Sequence, residues 1–454
     1  MGAQLHTVDQ PHGYDDANYS SPTLTPQGSH QEMPTRERST EKTRPATGGP
    51  SPPPNGGLVA WLHVAGGFML FFNTWGMLNT FGVFQTFYES GALFHKSSSD
   101  ISWIGPLQAF MLLVVGFITG PIYDRGYLTP LLTVGSFGIV FGTMMLSLCK
   151  EYWQVLLAQG FCVGMGAGCL FVPCVSILPT YFSTKLGAAL GLAVSGSSLG
   201  GVIYPIVLNR LIEPLGFGWA VRVIGFIALG TLLLPIAIMK QRVKPPKARA
   251  LIDWTAFTDI QYMTLVIAGL IAFMGLFTLF FYISYVASAR HLTSNDMAFY
   301  LVPILNAASC FGRTIPNAMA DKLGPFNLIA PCCMMVGILI LCLITVTNQA
   351  GMIVIAVFSG FFSGALIGLP PLCFVALTED KSKIGTRIGM GFGMMAFGVL
   401  AGGPGAGDIL GGGDNSPMNW NCVWIFGGVS TLAASAILAG LRFVRVGFKF
   451  KAKA

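Results

Sequence analysis

Arg313 stands inside an apolar run at 298–319. Among the 26 lysines and arginines of this 454-residue sequence it alone lies well within such a run. A charge at the centre of a membrane helix costs at least ~2.5 kcal/mol on insertion scales, so a retained one is a functional candidate by default. A guanidinium offers a planar fork that holds a carboxylate through two hydrogen bonds. At helical spacing, Asn306, Cys310, Arg313 and Asn317 fall within about 60° of one another, which makes a polar face on an otherwise apolar helix. Arg313 is therefore expected to be the counter-charge of a bound acid, with Asn306 beside it in the binding site. The competing reading is that Arg313 bonds helix-end carbonyls or a polar neighbour and only fixes packing.

Other candidates are weaker. Asn73, Asn79 and Gln85 occupy the first apolar run, where a buried amide needs a partner from protein or cargo. Phe281, Tyr282 and Tyr285 have the chemistry to stack on a ring-bearing substrate, or to serve as interface aromatics. Asp408 ends the run Gly402-Gly403-Pro404-Gly405-Ala406-Gly407, where the backbone can kink and expose carbonyls. It is a possible proton site near a cavity mouth. His63, alone near a helix end, reads as a packing or interface residue.

Catalytic chemistry is not supported. Gly196-Ser197-Ser198-Leu199-Gly200 has the G-x-S-x-G form, but a nucleophile elbow needs a strand-to-helix turn with His and Asp partners. No G-x-x-x-x-G-K-[ST] is present. The ten cysteines lie in or beside apolar runs, form no C-x-x-C, and read as packing residues. No metal-ligand cluster and no cofactor motif is visible. Asn18-Tyr19-Ser20 is the single glycosylation sequon.

The elements that must position these residues follow from composition. The chain is 53% hydrophobic and 10% charged, against about 25% charged in an ordinary soluble domain. A soluble fold of this size would lack the charges to cover its surface. The net charge of +7 does not suffice to suggest nucleic-acid binding, because its placement is lopsided. Residues 1–57 carry nine prolines, ten charges and two aromatics, too little apolar surface to offset ordering entropy, and are expected to be a disordered cytosolic tail. From Leu58 onward, apolar runs long enough to cross a bilayer as helices are expected at 59–84, 101–123, 128–148, 152–176, 186–209, 219–239, 262–286, 298–319, 327–347, 352–377, 386–411 and 420–440. Continuous runs exclude an outer-membrane barrel, whose strands alternate. With the N-terminus in the cytosol, 20 of the 26 basic residues fall on the cytosolic side and five on the other, a positive-inside pattern.

The two parts of the chain echo each other. Gly160, Gly164 and Gly168 recur as Gly360, Gly364 and Gly368. Gly187 and Gly191 recur as Gly385 and Gly389, and Asp124-Arg125 recurs as Asp321-Lys322. The nearly constant offset predicts two parallel six-helix repeats, 58–239 and 262–440, joined by a basic cytosolic linker at 240–261 and followed by a basic cytosolic tail at 441–454. Such repeats mark transporters that bind substrate between halves. Glycines four apart let helices approach closely in lipid.

These features resemble the major facilitator superfamily. The residues that carry the resemblance are the twelve runs, the basic linker, and Gly120-Pro121-Ile122-Tyr123-Asp124-Arg125-Gly126. Within the superfamily, Asn55-Gly56-Gly57-Leu58-Val59-Ala60-Trp61, Phe81-Gly82-Val83-Phe84-Gln85, Tyr181-Phe182 through Gly201, Ile252-Asp253-Trp254 and Gly312-Arg313 look like the fungal branch of the monocarboxylate porter family. The resemblance covers about residues 55–445. It implies an all-α polytopic membrane protein with twelve transmembrane helices in two six-helix pseudo-repeats. It also implies secondary active transport of a small organic solute by alternating access, with the first run lining the cavity. Asp124, Arg125, Asp321 and Lys322 would then be gating residues that lock the outward-open state.

Two departures matter. The animal lactate porters have a lysine where this chain has about Asn79, and an aspartate where it has Ser309. The drug/proton antiporter signature GPxxGG is also missing, since Gly200-Gly201 leads into Val202. The expected substrate-binding set is Arg313, Asn306, Asn79, Asn73 and Tyr282. The leading cargo is a monocarboxylate or acid-bearing fungal metabolite. The alternatives are a neutral ring-bearing metabolite and a non-transporting membrane sensor. The partners are a small-molecule substrate and the lipid bilayer, with no nucleic acid and a monomeric state. The location is the plasma membrane, both termini cytosolic.

Overall fold

The computed structural model describes residues 53–242, 250–380, 383–411 and 418–447, apart from the side chain of residue 295. The expected tail up to residue 52, the basic residues Lys244, Lys247, Arg249 and Lys381, and the C-terminal lysines lie outside the described residues. Every regular element among the described residues is helical.

Among the described residues, nine helices are long and apolar enough to cross a membrane. We number the segments α1 Leu58–Glu89, α2 Ser98–Asp124, α3 Leu128–Leu146, α4 Tyr152–Thr180, α7 Ile260–Ala289, α10 Gln349–Leu377, α11 Ile384–Leu410 and α12 Trp420–Val446. The ninth, Leu186–Ile238, runs for 53 residues and breaks at Gly216. Gly216 has φ 78°, a backbone open to glycine and strained for other residues, and the two arms are α5 (186–215) and α6 (217–238). Two further helices complete the twelve expected segments. These are α8, Asn295–Leu323, and α9, Phe326–Cys342. The polar stripe through Asn306, Ser309, Arg313 and Asn317 keeps α8 below the apolarity of its neighbours, and α9 is 17 residues long.

Helix ends differ from expectation in places. α1 continues to Glu89 in three pieces, interrupted at Thr74 and Thr80. At both breaks the hydroxyl donates back one turn, to the carbonyls of Leu70 and Gly76, a bond known to bend helices. α12 runs to Val446, past the expected start of the tail at 441. There Arg442 donates to Asn327 Oδ1 at 2.9 Å, tying α12 to α9.

Helix pairing repeats along the chain. Among the first six segments, α1 packs on α5, α2 on α4, and α3 on α4 and α6; among the last six, α7 packs on α11, α8 on α10, and α9 on α10 and α12. The recurrent glycines make these contacts. Gly164 and Gly168 of α4 sit against Gln108, Leu112 and Val115 of α2, and Gly360 and Gly364 of α10 sit against Leu305 and Ser309 of α8. The second glycine set works across the two groups. Gly187 and Gly191 of α5 face Asp321, Arg313 and Thr314 of α8, while Gly389 of α11 faces Phe117 of α2. A side chain at Gly164, Gly168, Gly360 or Gly364 would push the helices apart, which is costly where association depends on close packing.

Candidate functional site

The first and last six segments meet through α5 with α8, α2 with α11, and α1 with α7. We call the side carrying the chain ends and the linker the near side. On the far side the seam is closed. Phe81 of α1 meets Phe281 of α7 edge to face at 5.2 Å. Ser99 of α2 donates to Asp408 of α11, and Arg210 of α5 donates to Tyr300 of α8 at 2.7 Å. Toward the near side the helices part around a cavity whose wall is largely apolar and aromatic, with Phe71, Trp75, Phe171 and Phe392 contributing rings and Arg313 and Asn317 the polar groups. A second space, lined by Gly116, Pro121, Val175, Thr386 and Gly389, shares Phe171 and Val175 with it and extends to Ala250 at the end of the linker.

Arg313 is completely buried. Its Nε donates to Ser309 Oγ at 3.1 Å, one turn back on the same helix. Its Nη1 donates to Ser197 Oγ of α5, across the seam, and Nη2 has no partner among the described residues. Among the described residues no carboxylate lies within ion-pair range of it; the ion pairs observed there join Asp253 and Asp259 to Lys383 and Arg387. The guanidinium is thus held by neutral hydroxyls and has a spare donor at Nη2, on a residue that lines the cavity. Asn317, one turn on, donates from Nδ2 to the Arg313 carbonyl at 2.5 Å and leaves Oδ1 without a partner. An enclosed cationic donor in an aromatic cavity between two helical groups is a site for an anionic or strongly accepting organic solute.

Residues 63–378 match the Major Facilitator Superfamily. The chain belongs to that superfamily. It is 76% identical over 384 residues to the MFS-type transporter dbaD of Emericella nidulans, an alignment that takes in 85% of this chain and 86% of dbaD. It is 38% identical over 390 residues to the aspyridones efflux protein apdF of the same organism, covering 85% of this chain and 80% of apdF. A Phoma relative, the MFS-type transporter eupM, is 60% identical over 220 residues, 48% of this chain and 78% of eupM. The protein is a multi-pass membrane transporter of the major facilitator fold.

Within this superfamily member the other expected site residues separate. Asn306 is buried on the Arg313 helix, but farther from the near side. Its Nδ2 donates to the Val302 carbonyl at 3.0 Å, its Oδ1 is unpartnered, and it faces Gly201 of α5. Asn79 is buried with both amide atoms unpartnered, and it is absent from the lining of the Arg313 cavity. Asn73 is drawn away from the cavity. Its Nδ2 donates to Thr231 Oγ1 at 2.9 Å, and its Oδ1 accepts from Tyr204 at 2.6 Å. All its partners belong to α1, α5 and α6, so it ties the first six segments together. Tyr282 is likewise outside that cavity. Its hydroxyl donates to the Gly403 carbonyl at 3.3 Å, joining α7 to α11 near the far side.

At the near-side ends, Asp124 is buried and Arg125 exposed, and Asp321 and Lys322 are exposed. The Asp321 carboxylate lies so close to Gly187 that a Cβ there would come within 2.7 Å of it. Asp408 is exposed and accepts the Ser99 hydrogen bond.

Two groups escaped the reading of the sequence. Ser197, the Arg313 partner, lies in the Gly196–Gly200 stretch considered only as a nucleophile elbow; only the α5–α8 contact brings it to Arg313. The near-side ion cluster is the second. Asp253 is bonded by Lys383 at 3.2 Å and Arg387 at 3.1 Å, and Arg387 also reaches Asp259 at 2.8 Å. Burial opposes ionisation of Asp253, but hydrogen bonds from Thr255, Arg387 and Lys383 outweigh it and hold the carboxyl at about 2, below its ordinary 3.8. The signal was present as two aspartates before α7 and two cations at the start of α11.

Proposed function

We propose that the protein carries a small acid-bearing organic metabolite across the membrane by alternating access, with Arg313 as the acid's counter-charge. The single observation behind this reading is the Arg313 guanidinium. It is fully enclosed, lacks a carboxylate partner among the described residues, and faces a cavity between the first and last six segments. A buried cation without a protein counter-charge is stabilised by an anionic ligand. Segments 58–239 and 262–440 are the bodies that rock about this site, with 240–261 as their link. Asp124, Arg125, Asp321 and Lys322 gate its near side. Export is the favoured direction, because a relative of this chain is named an efflux protein. The chain acts as a monomer in the plasma membrane with both ends cytosolic, and its sequence pattern belongs with the fungal monocarboxylate porter branch.

The four rings in the cavity wall favour a second reading, a neutral ring-bearing metabolite held by stacking alone. Flux of labelled phenylacetate in vesicles carrying the purified protein separates the two. Arg313→Ala is expected to abolish acid flux while the amount of folded protein in the bilayer is unchanged. Acid flux that persists in folded Arg313→Ala removes the acid reading.

A further inference from the structure

Three polar atoms in the wall of the Arg313 cavity have no hydrogen-bond partner among the described residues. They are Arg313 Nη2, Trp75 Nε1 and Asn317 Oδ1. Their residues are 0%, 3% and 3% exposed. A buried polar group without a partner costs about 1–3 kcal/mol, so three such atoms on residues that line one cavity point to a ligand that completes them. Two of the three are donors, which a carboxylate satisfies. The third is an acceptor, and its orientation is not free. Asn317 Nδ2 is committed to the Arg313 carbonyl at 2.5 Å, so the amide oxygen cannot exchange places with the nitrogen.

A bare carboxylate meets this set badly. Arg313 Nε and one of the two Nη1 hydrogens are already spent on Ser309 and Ser197, so the fork through Nε is closed and the free donors are those left on Nη1 and Nη2. An acid oxygen set against Asn317 Oδ1 places acceptor against acceptor. A hydroxyl next to the carboxylate removes the conflict by donating to Oδ1. The rings set the rest of the shape. Trp75 and Phe171 lie 6.1 Å apart and tilted, and Phe171 meets Phe392 edge to face at 5.6 Å, an arrangement of faces and edges that suits a flat ring.

We propose that the cavity is selective for an aromatic hydroxy acid, whose carboxylate accepts from Arg313 and Trp75 while its hydroxyl donates to Asn317. This rests on the reading of Arg313 as the acid's counter-charge. It adds a specificity residue, Asn317, and a chemical class of cargo.

The test is calorimetric binding to the full chain in lipid nanodiscs with three probes. These are mandelate (2-hydroxy-2-phenylacetate), phenylacetate, which lacks the hydroxyl, and 2-methoxy-2-phenylacetate, which keeps the oxygen without the donor. The expected result is mandelate binding about tenfold tighter than either of the others, the value of one hydrogen bond formed in a buried site. In Asn317→Ala the preference is expected to fall below twofold, and in Arg313→Gln all three acids weaken together. Equal binding of the three probes to the wild type, still dependent on Arg313, overturns the hydroxy-acid selectivity and leaves the acid transporter intact. Binding that survives Arg313→Gln, or no binding of any probe at millimolar concentration, overturns both. Tight binding of the methoxy probe also overturns the role of Asn317 Oδ1, because that probe has nothing to donate.

Discussion

Arg313 and Arg387 both sit on helices of the last six segments, and both are shielded from solvent, yet their surroundings are opposite. Arg387 lies at the near-side start of α11 and is met by two carboxylates. Asp253 is 3.1 Å away and Asp259 2.8 Å, with Thr255 and Lys383 completing the cluster and the Tyr262 ring 5.5 Å from the guanidinium carbon. Arg313, midway along α8, meets hydroxyls from Ser309 and Ser197 and no carboxylate among the described residues. The first arrangement is closed, since protein supplies every charge it needs, and it pins the end of the linker to α7 and α11. The second holds no counter-charge among the described residues, which is what supports the proposal that an acidic substrate supplies one. The lesson is that burial of an arginine does not distinguish structure from function; the presence of an internal counter-charge does.

The contrast can be broken at its strong end first. Arg313→Gln keeps most of the side-chain volume and removes the charge. It is expected to lower acid flux at least 100-fold with a smaller fall in melting temperature than Arg387→Gln, because two hydroxyl hydrogen bonds are lost but no buried carboxylate is left without its partner. A large loss of stability with flux retained per folded molecule would make Arg313 a structural residue like Arg387.

Arg387→Gln should do the reverse. It leaves Asp253 and Asp259 short of a partner, which is expected to cost about 2 kcal/mol of stability for a largely buried pair. Transport per folded molecule should change by less than about threefold, since the closest cluster members lie outside the Arg313 cavity wall. Melting curves in detergent and vesicle flux measure the two quantities.

The same cluster carries a pH signature. The folded-state carboxyl of Asp253 titrates at about 2 against an ordinary 3.8. Its contribution is therefore fully present above about pH 4 and is lost as pH falls toward 2. Melting temperature should fall through that window in the wild type. Asp253→Asn should start lower and show a shallower fall.

The smallest effect is expected at the seam. Ser197→Ala removes one hydroxyl from Arg313, and a hydrogen bond to a charged group contributes about 1.5–3 kcal/mol at most. A bound acid takes over part of that role, so we expect KM for acid flux to move by about threefold. A loss as large as that of Arg313→Gln would place Ser197 in direct contact with cargo.

Much of this organisation was legible from residue types and spacing, for a physical reason. In a bilayer every backbone polar group must be satisfied within its own helix, so apolar runs translate almost directly into helices. The runs, the recurrent glycines and the isolated Arg313 are all local facts, and the structure places the glycines at helix crossings, as small residues in lipid should be. The polar amides were different. Asn73, Asn79 and Asn306 look alike in sequence, but Asn73 is consumed by Tyr204 and Thr231, while Asn79 keeps both amide atoms unpartnered and Asn306 keeps its oxygen. Nothing within a few residues of Asn73 announces partners 131 and 158 positions away.

By itself, then, the sequence determined that this chain spans a membrane with helices, that its two parts echo each other, and that one arginine is buried among apolar neighbours. Those follow from hydropathy, spacing and charge, which act along the chain. The tertiary structure alone decided that Ser197 joins Arg313, that Asn73 and Tyr282 do not, and that Asp253 and Arg387 close on each other. Those outcomes depend on which helix faces cross, and a hydrogen bond formed across 116 positions between Arg313 and Ser197 exists only once α5 and α8 have packed.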